Sequence, residues 1–261
     1  MANIFITGST DGLGRMAAEL LLEQGHKVVL HARNSKRATD IKNQVNGIKH
    51  VVIGDLSRVA DMKAVAAQVN ELGTFDAVIH NAAVGYQEPN RIETKEGLPQ
   101  VFAVNTLAPY VLTALIRKPK RLVYLSSGLH TSGSGAISDL TWKKRRWSGI
   151  EAYSESKLHD ILIAFGVARI WPDVYSNALE PGWVATKMGG PNAPDDLDKG
   201  HRTQAWLATS DDAAAKVTAQ YFFHQAIKKV SPIARDTDLQ DALLKACREL
   251  SGVNFPGRQE D

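Results

Sequence analysis

Along the chain, apolar runs of strand length alternate with amphipathic stretches of helix length. The runs fall near Asn3–Thr7, Lys27–Ala32, His50–Gly54, Asp76–His80, Arg121–Ser126 and Val174–Leu179, and turn residues follow each one. Such short, nearly unbroken apolar segments suit strands buried on both faces. Between them, a helical period of apolar positions predicts helices over Leu13–Glu23, Arg37–Val45, Val59–Leu72, Leu98–Ile116 and Glu151–Ile170. Two more are predicted beyond the last strand, over Asp211–Ala226 and Leu239–Leu250. Repeated βα units imply an α/β fold, a single doubly wound, Rossmann-type parallel sheet flanked by helices on both faces. No repeat, low-complexity tract or linker divides the chain, so one domain over residues 1–261 is expected, opening directly on its first strand.

Two segments lack either period, from Gly128 to Gly149 and from Trp183 to Arg202. Both follow strands at the carboxyl edge of the sheet, where ligands bind in open α/β folds. They are expected to wall or cover a site, the alternative being plain surface loops.

Composition narrows the picture. Of 261 residues, 44% are hydrophobic and 23% charged, which is ordinary for a globular protein, and no apolar run approaches the ~20 residues of a membrane span. A net charge of +3 is too small to argue for nucleic-acid binding. The one dense basic run, Lys143-Lys144-Arg145-Arg146, reads as a solvated loop face. Cys247 is the only cysteine, so no internal disulfide can form, which agrees with a cytoplasmic protein. No histidines and acids show ligand spacing, and no metal site is expected.

Candidate chemistry begins after the first strand, with Thr7-Gly8-Ser9-Thr10-Asp11-Gly12-Leu13-Gly14 opening a helix. The glycines fall as G-x-x-x-G-x-G. They permit a tight turn and close approach to a pyrophosphate, whose charge would meet helix N-terminal N–H groups; a mere turn is the alternative. The second strand ends His31-Ala32-Arg33-Asn34 without an acid, and Arg33 stands nineteen residues after Gly14. A guanidinium there suits the 2′-phosphate of NADP, whereas a carboxylate would suit the 2′-hydroxyl of NAD. Asp55-Leu56 closes the third strand and also reads as a helix cap. Asn81-Ala82-Ala83 closes the fourth with small residues.

Tyr153 and Lys157 lie four apart, hence on one helical face, and a cation there favours the charged form of a phenol. Ser126-Ser127 ends the preceding strand, where a hydroxyl could polarise a carbonyl. Asn105 interrupts an apolar helix and is either a satisfied core amide or part of a site.

Taken in order, Thr7-Gly8-x-x-x-Gly12-x-Gly14, Asp55-Leu56, Asn81-Ala82-Ala83, Asn105, Ser127, Tyr153-x-x-x-Lys157 and Pro181-Gly182 with Thr186 resemble the short-chain dehydrogenase/reductase family over nearly the whole chain. The insertion before Tyr153 and the tail from Pro232 to Val253 are similar to its retinol-dehydrogenase-like branch. The resemblance implies Tyr153 as general acid/base and Lys157 as the residue that lowers its pKa and holds the nicotinamide ribose. It also implies Ser127 orienting the carbonyl and Asn105 supporting a proton relay. NADP(H) would lie along Gly8, Ser9, Thr10, Gly12, Leu13, Gly14, Arg33, Asp55, Leu56, Asn81, Ala82 and Ala83, with Pro181, Gly182, Val184 and Thr186 at the nicotinamide. Ala83 departs from the family's glycine, and a closing strand is hard to find between Phe222 and Pro232. The expected partner is a small carbonyl or alcohol. Trp142, Trp147, Trp183 and Met188 hint at an apolar pocket, and family habit suggests a homo-oligomer. A non-catalytic NADP-binding regulator on the same fold is the competing reading, and a sugar-nucleotide epimerase a third.

Overall fold

A computed structural model describes residues 1–86 and 88–257. The chain runs β1 (Asn3–Ile6), α1 (Gly12–Glu23), β2 (Lys27–Ala32), α2 (Ser35–Gln44), β3 (His50–Ile53), α3 (Val59–Glu71) and β4 (Ala77–His80). Next, α4 (Gln100–Phe102) continues through a π-helical turn (Ala103–Leu107) into α5 (Ala108–Leu115). Then come β5 (Arg121–Leu125), α6 (Gly149–Ile170), β6 (Tyr175–Glu180), α7 (Leu197–Thr209), β7 (Tyr221–Phe223), β8 (Ala226–Ile227) and α8 (Thr237–Ser251). The strands form one sheet in the order β3-β2-β1-β4-β5-β6-β7-β8, parallel except for the β7–β8 hairpin.

Alternation along the strands divides the core into two layers. Phe5, Val78, Leu122 and Tyr124 pack with Val65 of α3, Val111 of α5, Leu162 of α6 and Leu243 of α8. On the other face Ile4, Ile6, Ile79, Val123 and Leu125 pack with Leu21 of α1, Ile41 of α2 and Leu207 of α7. Since β1 pairs with β2 on one side and β4 on the other, their connections diverge there and leave a crevice beyond the strand ends.

The π-helical turn has a local cause. Pro109 has no N–H to offer the carbonyl of Asn105 four residues earlier, so the α ladder is already interrupted. The helix widens, Ala108 N bonds Ala103 O, and Asn105 ends fully buried.

The sequence reading fails between β6 and the tail. The helix expected over Asp211–Ala226 is absent: that stretch holds a 3-10 turn, Ala213–Ala215, and then β7, whose Tyr221, Phe222 and Phe223 pair with Ala178, Leu179 and Glu180. The helix lies upstream instead, as α7, beginning inside the segment expected to be a loop and running past its end at Arg202. Its buried face is largely small or polar, Gly200, Thr203, Gln204, Ala205 and Ala208 among them, so no large aliphatic stripe announced it. The closing hairpin was hidden for a similar reason. His224 and Gln225 form its two-residue turn with φ of 46° and 64°, without the glycine or asparagine that such a turn favours. No helix among the described residues is long and apolar enough to cross a membrane.

Two buried histidines make this fold acid-sensitive. Burial lowers His80 to about 3 and His159 to about 4. Among the described residues, His80 Nδ1 and His159 Nε2 have no partner. As pH falls, protons bind the unfolded chain first, near the ordinary histidine value, so the stability from these neutral rings is complete above that value and is lost below it. Urea unfolding should show the pair costing about 4 kcal/mol between pH 7 and pH 5, and His80→Gln with His159→Gln should flatten that dependence.

Candidate active site

The crevice is built on hydrogen bonds between the ends of β1 and β4. Thr7 Oγ1 accepts from both Asn81 N and Ala82 N at 3.0 Å. The Asn81 amide returns across the gap, donating to Thr7 O at 3.0 Å and Gly8 O at 3.1 Å. Gly8 has a φ of +61°, and a Cβ there would stand 2.7 Å from Ala82 Cα; one on Gly14 would stand 2.3 Å from Asn81 Nδ2. Gly8 N donates to His31 Nδ1 at 3.0 Å, and His31 Nε2 donates to Gly54 O at 2.9 Å, which fixes the neutral tautomer. Asp11 caps α1 through Gly12 N and pairs with Lys187 across the crevice mouth.

A cavity of about 350 Å³ follows the strand ends. Gly8, Thr10, Leu13, Arg33, Asp55, Leu56, Asn81, Ala82, Ala83, Val84, Tyr153, Lys157, Pro181 and Thr186 line it. Ser9 is elsewhere: its hydroxyl is buried between strands, donating to Ile6 O at 2.8 Å and accepting from His31 N at 3.0 Å. Gly12 and Gly14 shape the turn without lining the cleft. Asp55 has both expected characters, since its carboxylate accepts from Ser57 N at 3.0 Å while it borders the cavity.

Arg37, in the first turn of α2, joins Arg33 on the wall. Among the described residues neither guanidinium forms an ion pair. The four-residue spacing of the two arginines was the sequence signal for this cluster, and the sequence reading missed it. A glycine cradle that a side chain would fill, a helix N-terminus and two uncommitted guanidiniums fit a phosphorylated dinucleotide.

At the other end of the crevice, α6 carries the candidate chemistry, its first turn capped by Ser148. Lys157 Nζ donates to Leu125 O at 2.8 Å and to Asp160 Oδ2 at 2.9 Å, and lies 5.7 Å from the Tyr153 ring centre. Burial alone would lower the lysine, yet Asp160 and Tyr153 hold its ammonium above the ordinary range. The tyrosine departs from expectation. Burial raises the Tyr153 phenol above its ordinary value, and the opposing pull of Lys157 and of a hydrogen bond with Ser127 does not reverse this, while Asp160 adds to the rise. Spacing revealed the neighbouring cation but not the desolvation.

The two serines diverge. Ser126 borders both cavities but commits its hydroxyl to Lys157 O at 2.7 Å, whereas Ser127 lines a second cavity of about 530 Å³. Ser127's backbone is held by His130, whose Nδ1 donates to Ser127 O at 2.7 Å and whose Nε2 accepts from Ser231 N at 3.3 Å. Asn105 sits behind the cleft. Its Oδ1 accepts from Val84 N at 2.8 Å, and its Nδ2 donates to Val84 O at 3.1 Å and Ser156 Oγ at 3.0 Å, so it ties the β4 end to α6.

Tyr153 lines both cavities and stands at their junction. Gly182, Val184, Trp183 and Met188 line the second one. Trp142 and Trp147 do not: their rings pack together beside Val101 and Ala152. The basic run is correspondingly uneven. Arg145 stacks 3.6 Å from the centre of the Trp142 ring and binds Glu155 through both oxygens at 2.6 and 2.5 Å, while Lys143, Lys144 and Arg146 are exposed. No cluster of three or more metal-ligating side chains occurs among the described residues.

Known proteins resemble this chain in sequence and in fold. Residues 2–196 match the family described as short chain dehydrogenase. An uncharacterized oxidoreductase of Emericella nidulans is 43% identical over 98% of this chain and 100% of its own. Human retinol dehydrogenase 13 is 26% identical over 98% of this chain and 86% of its own. Among solved structures, an uncharacterized protein from Mycobacterium paratuberculosis superposes with a TM-score of 0.85 at 25% identity, covering 98% of this chain and 95% of that one.

Asp160 was not foreseen, although its i,i+3 spacing from Lys157 is legible once the lysine is singled out. It opposes the effect of Lys157 on Tyr153. Asp160→Asn should therefore lower the Tyr153 ionisation midpoint. Phenolate absorbance during alkaline titration, taken as the difference from the matching Tyr153→Phe protein, measures this without any substrate.

Proposed function

Because the chain belongs to the short-chain dehydrogenase family, we propose that it is an NADP-dependent oxidoreductase that interconverts a carbonyl and an alcohol, with Tyr153 as the proton donor and acceptor. The observation that carries this reading is the convergence of Tyr153, Ser127 and Lys157 where the long cleft meets the second cavity. The bound nicotinamide would supply a hydride to the carbonyl carbon, or take one from the alcohol carbon in reverse.

The protein's own groups do the rest. Ser127 Oγ donates a hydrogen bond to the carbonyl oxygen and draws electron density from the carbon. Tyr153 Oη gives its proton to that oxygen as the C–O π bond becomes a C–H bond and an O–H bond. The buried Lys157 ammonium lies beside the phenolate left behind and stabilises its charge until a solvent proton restores it. Burial opposes ionisation of the Tyr153 phenol, and the charge of Lys157 works against that cost once the proton has left. Lys157 is fixed by Leu125 O and Asp160, and Asn105 holds the Val84 backbone that forms the adjoining wall. NADP over NAD rests on Arg33 and Arg37, which offer forked donors where a 2′-phosphate would sit.

Three measurements test this reading. NADPH should bind at least roughly tenfold more tightly than NADH, and Arg33→Ala or Arg37→Ala should each weaken NADPH about tenfold with little change for NADH. NADPH oxidation with a panel of ketones and aldehydes should fall at least ~10²-fold in Tyr153→Phe. Fluorescence titration of that variant should show NADPH binding retained. Binding without turnover of any carbonyl would favour a regulatory protein, and absence of binding would overturn the reading.

A further inference from the structure

The second cavity holds an ion pair that the chemistry above leaves unused. Glu180 ends β6 immediately before Pro181, and its carboxylate is buried, with a side-chain exposure of 6%, against the backbone of Gly128. A Cβ on Gly128 would stand 2.6 Å from Glu180 Oε2. The pair's cation is Lys228, whose side chain is 49% exposed and whose Nζ also lies 4.8 Å from the centre of the Phe223 ring. The carboxylate is thus at the back and the ammonium at the cavity surface, a dipole with its positive end toward the space where a substrate would lie.

Lys228 reaches this position through a strained piece of chain. It follows the β7–β8 hairpin, whose turn residues His224 and Gln225 both have positive φ without being glycine. Lys228 N donates to Tyr221 O at 2.8 Å, and Gln225 N is tethered to Thr203 Oγ1 of α7 at 3.1 Å.

Charge accounting within the cavity leaves Lys228 available. Among the described residues it is the one cation on the wall. Asp195, the other acid there, is occupied by Trp183 N at 2.6 Å. Glu180 takes one N–H of Lys228, and among the described residues no other acceptor bonds the remaining two. The rest of the wall is mainly apolar, with Leu129, Ile150, Trp183, Met188 and Phe223.

From this arrangement, and resting on the reductase reading, we infer that Lys228, held by Glu180, is the substrate-recognition residue of the site. It selects carbonyl compounds with an apolar skeleton and a second oxygen acceptor, a carbonyl or carboxylate, within a few bonds of the reacting carbon. Gly128, against which Glu180 packs, directly follows Ser127, so the carboxylate that holds Lys228 stands beside the serine on the wall of the same cavity.

The test compares two aromatic probes, 1-phenyl-1,2-propanedione and propiophenone, which differ by one carbonyl. Steady-state kcat/KM with NADPH is measured for wild type, Lys228→Met, Lys228→Arg and Glu180→Gln. The dione-to-monoketone ratio should fall about tenfold in Lys228→Met, be largely kept in Lys228→Arg and fall in Glu180→Gln, which frees the lysine. Comparing this ratio between wild type and each variant cancels the intrinsic reactivity of the probes, and NADPH affinity reports whether each variant has folded. A ratio unchanged in Lys228→Met, in a protein that still reduces ketones, overturns this inference and leaves the reductase reading standing. A wild type that binds NADPH and reduces neither probe overturns that reading for this carbonyl class, and the inference with it.

Discussion

The structure depends on how two adjacent parallel strands are joined at their carboxyl ends. The connections of β1 and β4 diverge to opposite sides there, and backbone groups at such a point would face the crevice unpaired. Thr7 and Asn81 satisfy them reciprocally, hydroxyl to backbone in one direction and amide to backbone in the other. The same contacts dictate Gly14, because Asn81 occupies the volume a side chain would need, and they set Gly8 against Ala82. His31 extends the lock to β2 and β3 as a neutral ring bridging Gly8 N and Gly54 O. A cleft with a fixed floor and a helix N-terminus at its edge follows from these few bonds.

A second set of buried polar groups organises the chemistry. Lys157 and Asp160 are both almost wholly removed from water, a costly placement unless each charge is paired and hydrogen-bonded. Leu125 O and Asp160 meet that need for the lysine and fix its direction along β5. Asn105 does the equivalent work for the β4 end, through a widened turn of helix that turns its amide inward. These anchors lie on different elements, so tyrosine, lysine and serine converge only when the sheet and α6 are assembled.

Much of this was legible before assembly because local physics carried it. Doubly buried strands leave continuous apolar runs, and the first six were found within a residue or two. Tyr153 and Lys157 were visible as an i,i+4 pair, and the glycine turn was visible because only certain residues allow its backbone. The reading failed where local and tertiary demands part. The inner face of α7 is small and polar because it packs closely on α1 and the strand ends, so it carries no helical stripe of large side chains. The β7–β8 turn uses His224 and Gln225 at φ values that neither residue favours, so the hairpin carried no turn signal. Ser9 read as part of the cofactor loop, yet its hydroxyl serves the strands.

The sequence by itself therefore determined the first six strands and the family, and it singled out the glycine turn and the Tyr153–Lys157 pair as candidates, because apolar runs and residue spacing are local properties. The tertiary structure decided which groups are desolvated and which distant residues meet. Burial sets Tyr153 above its ordinary range despite its lysine. Glu180 and Lys228, 48 residues apart, become one polar end of the pocket. Desolvation and contact between remote segments depend on the packed chain as a whole, and no local pattern of residues encodes them.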